Sequence, residues 1–465
     1  MKTMRSVVLT ALCLLVFLSD PGRTLEAGPP AGRLDLPLVS GAVLDNGIRF
    51  FHVRDDLPMV MVTVSAGYGR LYEDRETAGL SDLLAMTMSL GGSAAYPGGA
   101  LHEKVDSMGG RLSVSASWES VTISIKVLDR FRNEAFAIAA DLAANPNLGP
   151  EYIENAKGLV VDEIKRKYDN PADLAFEKAR ERIFGGKGYG AVPTEETVRS
   201  LSPDRVREAW KTHFAGRNVM IGVVSPMEQR DAERLCRRYF SRIEAGAPVR
   251  YEADIRAVRE RVSAARGKVF FLRKDIPQST IVIGTVAPDI RHTGAYALEL
   301  MDYVLGGGSF NSRLMEEIRV RRGMAYAVQS IYRPRCGTGV FLAYAQTESR
   351  HAGEVLGLLV GNVERMARDP MKHSELEWAR GAIGSSFVFR FDSPMKILSN
   401  RMEIAYNGLP DDYNDTYLER ISRVGVKEIL AESAELFRPG LVTLVVGHPS
   451  VAADLRRFGE IVYIE

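Results

Sequence analysis

Two stretches of this chain repeat each other across nearly half its length. Phe50-Phe51-His52-Val53-Arg54-Asp55-Asp56-Leu57-Pro58 resembles Phe270-Phe271-Leu272-Arg273-Lys274-Asp275-Ile276-Pro277, and each runs into a β-rich stretch, Met59 to Ser65 and Thr280 to Thr285. A later pair matches Val206-Arg207-Glu208 through Val223-Val224-Ser225-Pro226 with Val426-Lys427-Glu428 through Val445-Val446-Gly447-His448-Pro449. Asp56 to Asp275 is a step of 219 residues and Pro226 to Pro449 a step of 223. A nearly constant step over such a distance marks a duplicated domain, since solenoid repeats are far shorter. The chain of 465 residues is long enough for two such halves, each with its own core.

Within each half the order reads strand, helix, strands, helices, strand. Val121 to Val127 alternates polar and apolar residues, the period of a half-buried strand. Phe131 to Ala144 reads as a helix closed by Asn145-Pro146, and Pro150 to Lys167 as a second with Ile153, Ala156, Val160 and Ile164 on one face. Strands followed by runs of helices predict an α+β fold. The expectation is two homologous α/β-sandwich-like domains, each a mainly antiparallel sheet with helices packed on one face. The expected boundaries are a signal peptide over 1–27, a first domain over 28–243, a charged, Ala-rich linker over 244–266 and a second domain over 267–465.

The N-terminus sets the expected compartment. Lys2 and Arg5 precede an apolar run, Ser6 to Leu18, too short to span a bilayer, and Leu25-Glu26-Ala27 offers a small-residue cleavage site. This is the pattern of a secretory signal, so the mature chain is expected to be periplasmic or otherwise secreted. No other stretch is long and apolar enough for a stable membrane span. Sixty Lys+Arg against 59 Asp+Glu leave a net charge of +1, which argues against a nucleic-acid partner. Three Cys exclude a disulfide scaffold. Cys236 and Cys336 read as independent, partly buried thiols, with a disulfide as the alternative in an oxidising compartment.

Several segments carry a family likeness by their order and spacing. They are Leu44-Asp45-Asn46-Gly47 before the first strand, Ala78-Gly79-Leu80 opening a helix that ends Leu90-Gly91-Gly92-Ser93, and Gly109-Gly110 before a strand. Phe184 through Tyr189-Gly190 and Arg319 through Gly323-Met324-Ala325-Tyr326 follow. Together they resemble the insulinase/pitrilysin family of inverted-zincin metallopeptidases, in the short two-domain form found in bacteria and in mitochondrial processing peptidases. The likeness covers essentially the whole mature chain and implies two similar domains facing each other across a substrate chamber.

Active members of that family hold zinc with His-x-x-Glu-His on the first long helix. Two His at i and i+4 share a helical face, the Glu activates water, and a carboxylate from a later helix completes the ligands. Here the matching positions are Asp82, Ala85 and Met86, with Glu163 at the later position. Ala85 cannot activate water, and Met86 offers only a soft thioether. No two of the seven His have helical metal spacing. The expectation is no metal in this chain.

The second half keeps a different family feature. The likeness assigns Arg319 and Tyr326, seven positions apart, to binding the substrate backbone and the reaction intermediate in trans. Arg supplies fixed cationic donors and Tyr a neutral one, both suited to a peptide carbonyl. Read without the likeness, Arg313, Arg319, Arg321 and Arg322 make the solvated face of a helix whose Leu314 and Ile318 point inward. Gly323 is placed to end that helix in a left-handed cap, with Tyr326 starting a strand. The strand region from Leu112 to Val127 corresponds to one the family uses for adding a substrate strand, with Ser113 in place of a common Asn.

Losing the zinc residues while keeping the Arg/Tyr pair matches a division of labour seen in heterodimeric members. The implied partner is a zinc-bearing insulinase-family subunit, the substrates are peptides, and any zinc belongs to that partner. The alternative is a non-catalytic peptide-binding or structural subunit of an exported assembly. Other readings are weaker. Gly306-Gly307-Gly308-Ser309 lacks the ending of a phosphate loop and is expected to be flexible or closely packed. Gly185 to Gly190 is expected to be a mobile connection, and Trp118 reads as a packed aromatic, with a peptide contact as the alternative.

Overall fold

The computed structural model describes residues 39–464, so the expected signal segment 1–27 lies outside the described residues. The first half builds one sheet from β1 (Val39–Val43), β2 (Arg49–Arg54), β3 (Met59–Ala66), β4 (Arg111–Ala116), β5 (Val121–Leu128) and β6 (Val219–Ser225). The second builds another from β7 (Lys268–Arg273), β8 (Gln278–Ala287), β9 (Ala325–Pro334), β10 (Gly339–Glu348), β11 (Val442–Gly447) and β12 (Glu460–Ile464). The spatial orders are β1-β2-β6-β3-β5-β4 and β12-β7-β11-β8-β10-β9. Five strands correspond one to one, with a parallel pair β2/β6 matching β7/β11 and antiparallel neighbours beyond. The sixth differs: β1 precedes its neighbour and runs antiparallel to it, while β12 is the last strand and runs parallel.

The expected α+β duplication with mainly antiparallel sheets is what the chain forms. Alternation along β3 and β5 buries Val60, Val62, Val64, Ile123 and Ile125 against the half's own helices, Leu80–Gly91 and Arg132–Ala144. The Pro150–Tyr168 helix buries Ile153, Ala156 and Val160 on the face read from its spacing. The stretch read as one strand region, 112–127, is a hairpin of β4 and β5 turning at Ser117–Ser120, where the Ser117 and Ser120 side chains bond locally.

Helices cover more than one face. The Pro171–Phe184 helix leaves its own half and lays Leu174, Ala179 and Ile183 against Val282, Leu342 and Leu444 of the second sheet. In return the Pro394–Asn407 helix of the second half sets Leu398 and Met402 against Phe51, Met220 and Gly222 of the first. Each half therefore completes the other's sheet, which a pattern read within one half cannot reveal. The hairpin tips also meet: Glu119 accepts from the Tyr189 hydroxyl at 2.8 Å and stands 3.7 Å from Arg335.

The segment 244–266 carries a helix, Ile255–Ala264, whose Val262 is fully buried against the second sheet. Gly185 to Gly190, expected as a mobile connection, is instead packed. Gly185 and Gly186 have φ of 77° and 78°, and a Cβ on either would meet the Arg261 or Arg75 side chain at 2.4 Å. Gly306 is likewise tight, since a Cβ there would come within 2.3 Å of the Ser330 amide nitrogen. Cys236 and Cys336 are both free thiols. No helix among the described residues is long and apolar enough to cross a membrane.

Candidate functional site

The helix at the family's zinc position opens on Gly79, whose φ of 93° only glycine adopts readily. Its first turn is closed by a residue the sequence did not single out. Buried Glu73 accepts from the Gly79 and Ser81 amides at 2.8 and 2.7 Å and from the Ser81 hydroxyl at 2.6 Å. A carboxylate there satisfies helix-start donors and meets the positive end of the dipole. Burial pushes its pKa up to about 7, against the pull of those hydrogen bonds.

The four degenerate positions do not converge. Asp82 is gripped by Arg70 through Nε at 3.1 Å and Nη2 at 2.9 Å, with both side chains about four-fifths covered. Ala85 is buried. Met86 packs with Ile164 onto an apolar cluster of Val160, Val161 and Val198. Glu163 points to solvent, one helix position from Ile164. The coordinating face has thus become an ion pair beside a hydrophobic contact. These residues do not fit zinc, which needs three or four convergent donors. Among the described residues no group of three His, Cys, Asp or Glu side chains is placed to hold a metal ion.

Arg319 sits in Met315–Val320, a wide π-helical turn in which the Arg321 amide reaches back to the Glu316 carbonyl at 3.0 Å. Leu314 and Ile318 are fully buried, as their spacing predicts. Gly323, at φ 63°, closes the helix with its amide 3.1 Å from the Arg319 carbonyl, and β9 begins two residues later. The neighbouring arginines are all paired: Arg313 with Glu375, Arg321 with Glu316, and Arg322 with Glu317 and Glu354. Arg319 has no acidic partner among the described residues, and its guanidinium lies 5.4 Å from the ring centre of exposed Phe310. A uniform solvated face does not describe this helix: three charges are tied and one is kept free.

Tyr326 owes its exposure to a bulge. β10 pairs Gln346 with Ala327 but Thr347 with Ala325, so Tyr326 is the extra residue of β9 and stands 77% exposed. Bulges re-aim a side chain, and here the strand abuts the turn that carries Arg319. The family likeness picked out the pair but not Phe310 or the bulge, which is set by how β10 pairs with β9. Ser113 is exposed on β4, the open edge of the first sheet. Trp118 is a packed aromatic, with Arg70 and Arg180 at 5.5 and 4.9 Å from its ring.

Residues 53–192 match the insulinase (peptidase family M16) profile, and residues 200–383 match the peptidase M16 inactive domain. The chain belongs to the M16 insulinase family, in its short two-domain form. An uncharacterized zinc protease of Rickettsia bellii is 26% identical over 399 residues, covering 83% of this chain and 92% of its own. A protein of Helicobacter pylori described as a non-peptidase homolog, YmxG, is 24% identical over 383 residues, covering 80% and 85%. The solved M16 inactive domain from Pseudomonas fluorescens superposes with a TM-score of 0.78 at 18% identity, covering 88% of this chain and 98% of that one. This last likeness bears on the fold alone.

Proposed function

We propose that this chain is the non-zinc subunit of a heterodimeric, exported insulinase-family peptidase, lending Arg319 and Tyr326 to a zinc-bearing partner that hydrolyses peptides. One observation carries the reading: in a helix whose other arginines are neutralised, Arg319 lacks an acid among the described residues, and Tyr326 is bulge-exposed on the strand that abuts its turn. Donors left free in this way are suited to a peptide carbonyl. Water activation belongs to the partner, because Ala85 and Arg70-bound Asp82 can supply none of it.

The purified chain alone is expected to cleave no peptide, and mixing with the zinc-bearing partner is expected to produce turnover. Turnover by the isolated chain that a chelator abolishes would overturn the proposal. A second reading, peptide binding without hydrolysis, is favoured by the open edge of β4, whose outer main-chain groups pair with no strand among the described residues. Peptide affinity that is unchanged by any partner, with no turnover in its presence, would select it.

A further inference from the structure

Where the two halves meet, a cavity of about 280 Å³ opens between Trp118, the Pro171–Phe184 helix and the ends of β9 and β10. Its floor is apolar, formed by Ile331, Val340 and Leu342, and its walls include Phe176 and Tyr189. Four cations line it, against Asp173 as the one carboxylate in the lining. Two of the four are engaged, Lys167 with Glu177 and Arg335 with Glu119 at 3.7 Å. Arg180 and Arg333 form no ion pair among the described residues.

Arg180 is the more telling of the two. Its Nε is buried without a hydrogen-bond partner, and its guanidinium is held 4.9 Å from the Trp118 ring centre. Burial lowers its pKa to about 10, with Glu177 opposing and the nearby charges of Arg70 and Arg335 adding to the fall. Unneutralised charge under cover is costly unless an anion arrives to complete it. Arg333 supplies the exposed half of that arrangement, pairing with Val340 across the hairpin and so facing the side of the sheet that receives the other half's helix.

We infer that this junction pocket binds a peptide carboxylate, either the C-terminus of an apolar or aromatic residue or an acidic side chain next to one, with Arg180 and Arg333 as its donors. The inference rests on the peptide reading above and extends it to specificity. Two arginines fork a carboxylate geometrically, while the aromatic walls and apolar floor hold the adjoining group. The volume limits the guest to about one residue, at the small end of the roughly 300–1,000 Å³ range of ligand sites. Tyr326 and Arg333 lie on the same strand, so the pocket stands roughly 20 Å from Tyr326 at about 3.3 Å per residue. A peptide extended along β9 would reach it about six or seven residues from the bond being cleaved.

The test is calorimetric titration of the whole chain with N-acetylphenylalanine and with its amide. Two ten-residue peptides accompany them, one with an internal Glu and an amidated end, the other with Gln and a free end. The acid is expected to bind about tenfold more tightly than the amide, more weakly as salt rises. Arg333→Gln, at an exposed position, should abolish the preference, and Arg333→Lys should keep part of it. Equal binding of acid and amide, or a preference untouched by Arg333→Gln, would overturn the inference. Peptides that bind without a carboxylate preference would sink this pocket and leave the peptide reading standing. An Arg333-dependent acid site on a chain that binds no peptide with or without the partner would do the reverse. Whichever peptide retains the preference identifies the carboxylate's source.

Discussion

Arg70 in the first half and Arg319 in the second show opposite fates of charge in a duplicated fold. Arg70 is tied to Asp82 by two hydrogen bonds and covered by its surroundings. Arg319 rests beside an exposed ring, with no acid partner among the described residues. The first helix has lost its ligands and repacked, filling the position with an ion pair and with Met86 on valines. The second half has kept a cation free among paired neighbours. The absence of an internal partner, more than the residue type, distinguishes a group kept for a ligand from one absorbed into the structure.

The sharpest way to break this contrast is Arg319→Ala assayed in the complex with the zinc-bearing partner. Loss of one such donor should lower turnover by about 10²–10³-fold, with thermal stability unchanged. Tyr326→Phe should act in the same direction. A Leu398→Ala substitution attacks instead the exchange of helices that holds the halves together. Leu398 is fully buried on the other half's sheet, so denaturant unfolding should show a loss of about 2–5 kcal/mol. Gly222→Ala would strike the same contact from the opposite side, because its Cβ would meet Met402 Sδ at 2.6 Å, with an expected loss of about 1–3 kcal/mol.

The first half also carries a pH response that the second should lack at the matching place. His213 is buried and stacked 4.0 Å from Tyr68, and burial pushes its pKa down to about 4. Protons then favour the unfolded chain between about pH 6.5 and 4, so stability is present above that window and lost as pH falls through it. The loss should approach about 3 kcal/mol, and His213→Phe should flatten the slope in pH-dependent unfolding. The smallest expected effect is at the degenerate zinc position. Asp82→Asn should destabilise by about 1–2 kcal/mol, between the values of exposed and buried pairs. It should leave turnover of the complex untouched, and a large loss of turnover would give Asp82 a chemical role.

Much of this was legible from residues alone. The repeat predicted two like sheets because alternation and helical spacing are local signals, and Val121–Val127 and Ile153/Ala156/Val160 behave as their periods require. The loss of the metal ligands was legible because Ala and Met lack the chemistry, whatever surrounds them. The glycines of 185–190 were misread as mobile, since a glycine needed for positive φ under a packed arginine looks the same as one in a loose loop. Glu73 and Arg180 went unnoticed because each acquires its role from burial, and Phe310 because its contact with Arg319 depends on how the turns between them fold.

The sequence by itself determined the duplication and the α+β class, which follow from the repeated segments and from short-range periodicity. The degenerate zinc positions and the Arg319/Tyr326 pair were picked out by the likeness to the insulinase family, with Ala85 and Met86 then lacking zinc chemistry whatever surrounds them. Only the tertiary structure decided which charges remain free. It paired Arg70 with Asp82, bulged Tyr326 out of β9, crossed one helix from each half onto the other's sheet and enclosed Arg180 at the junction. Whether a charge is neutralised depends on what lies within a few ångströms of it, and for Arg335 that neighbour, Glu119, comes from the other half.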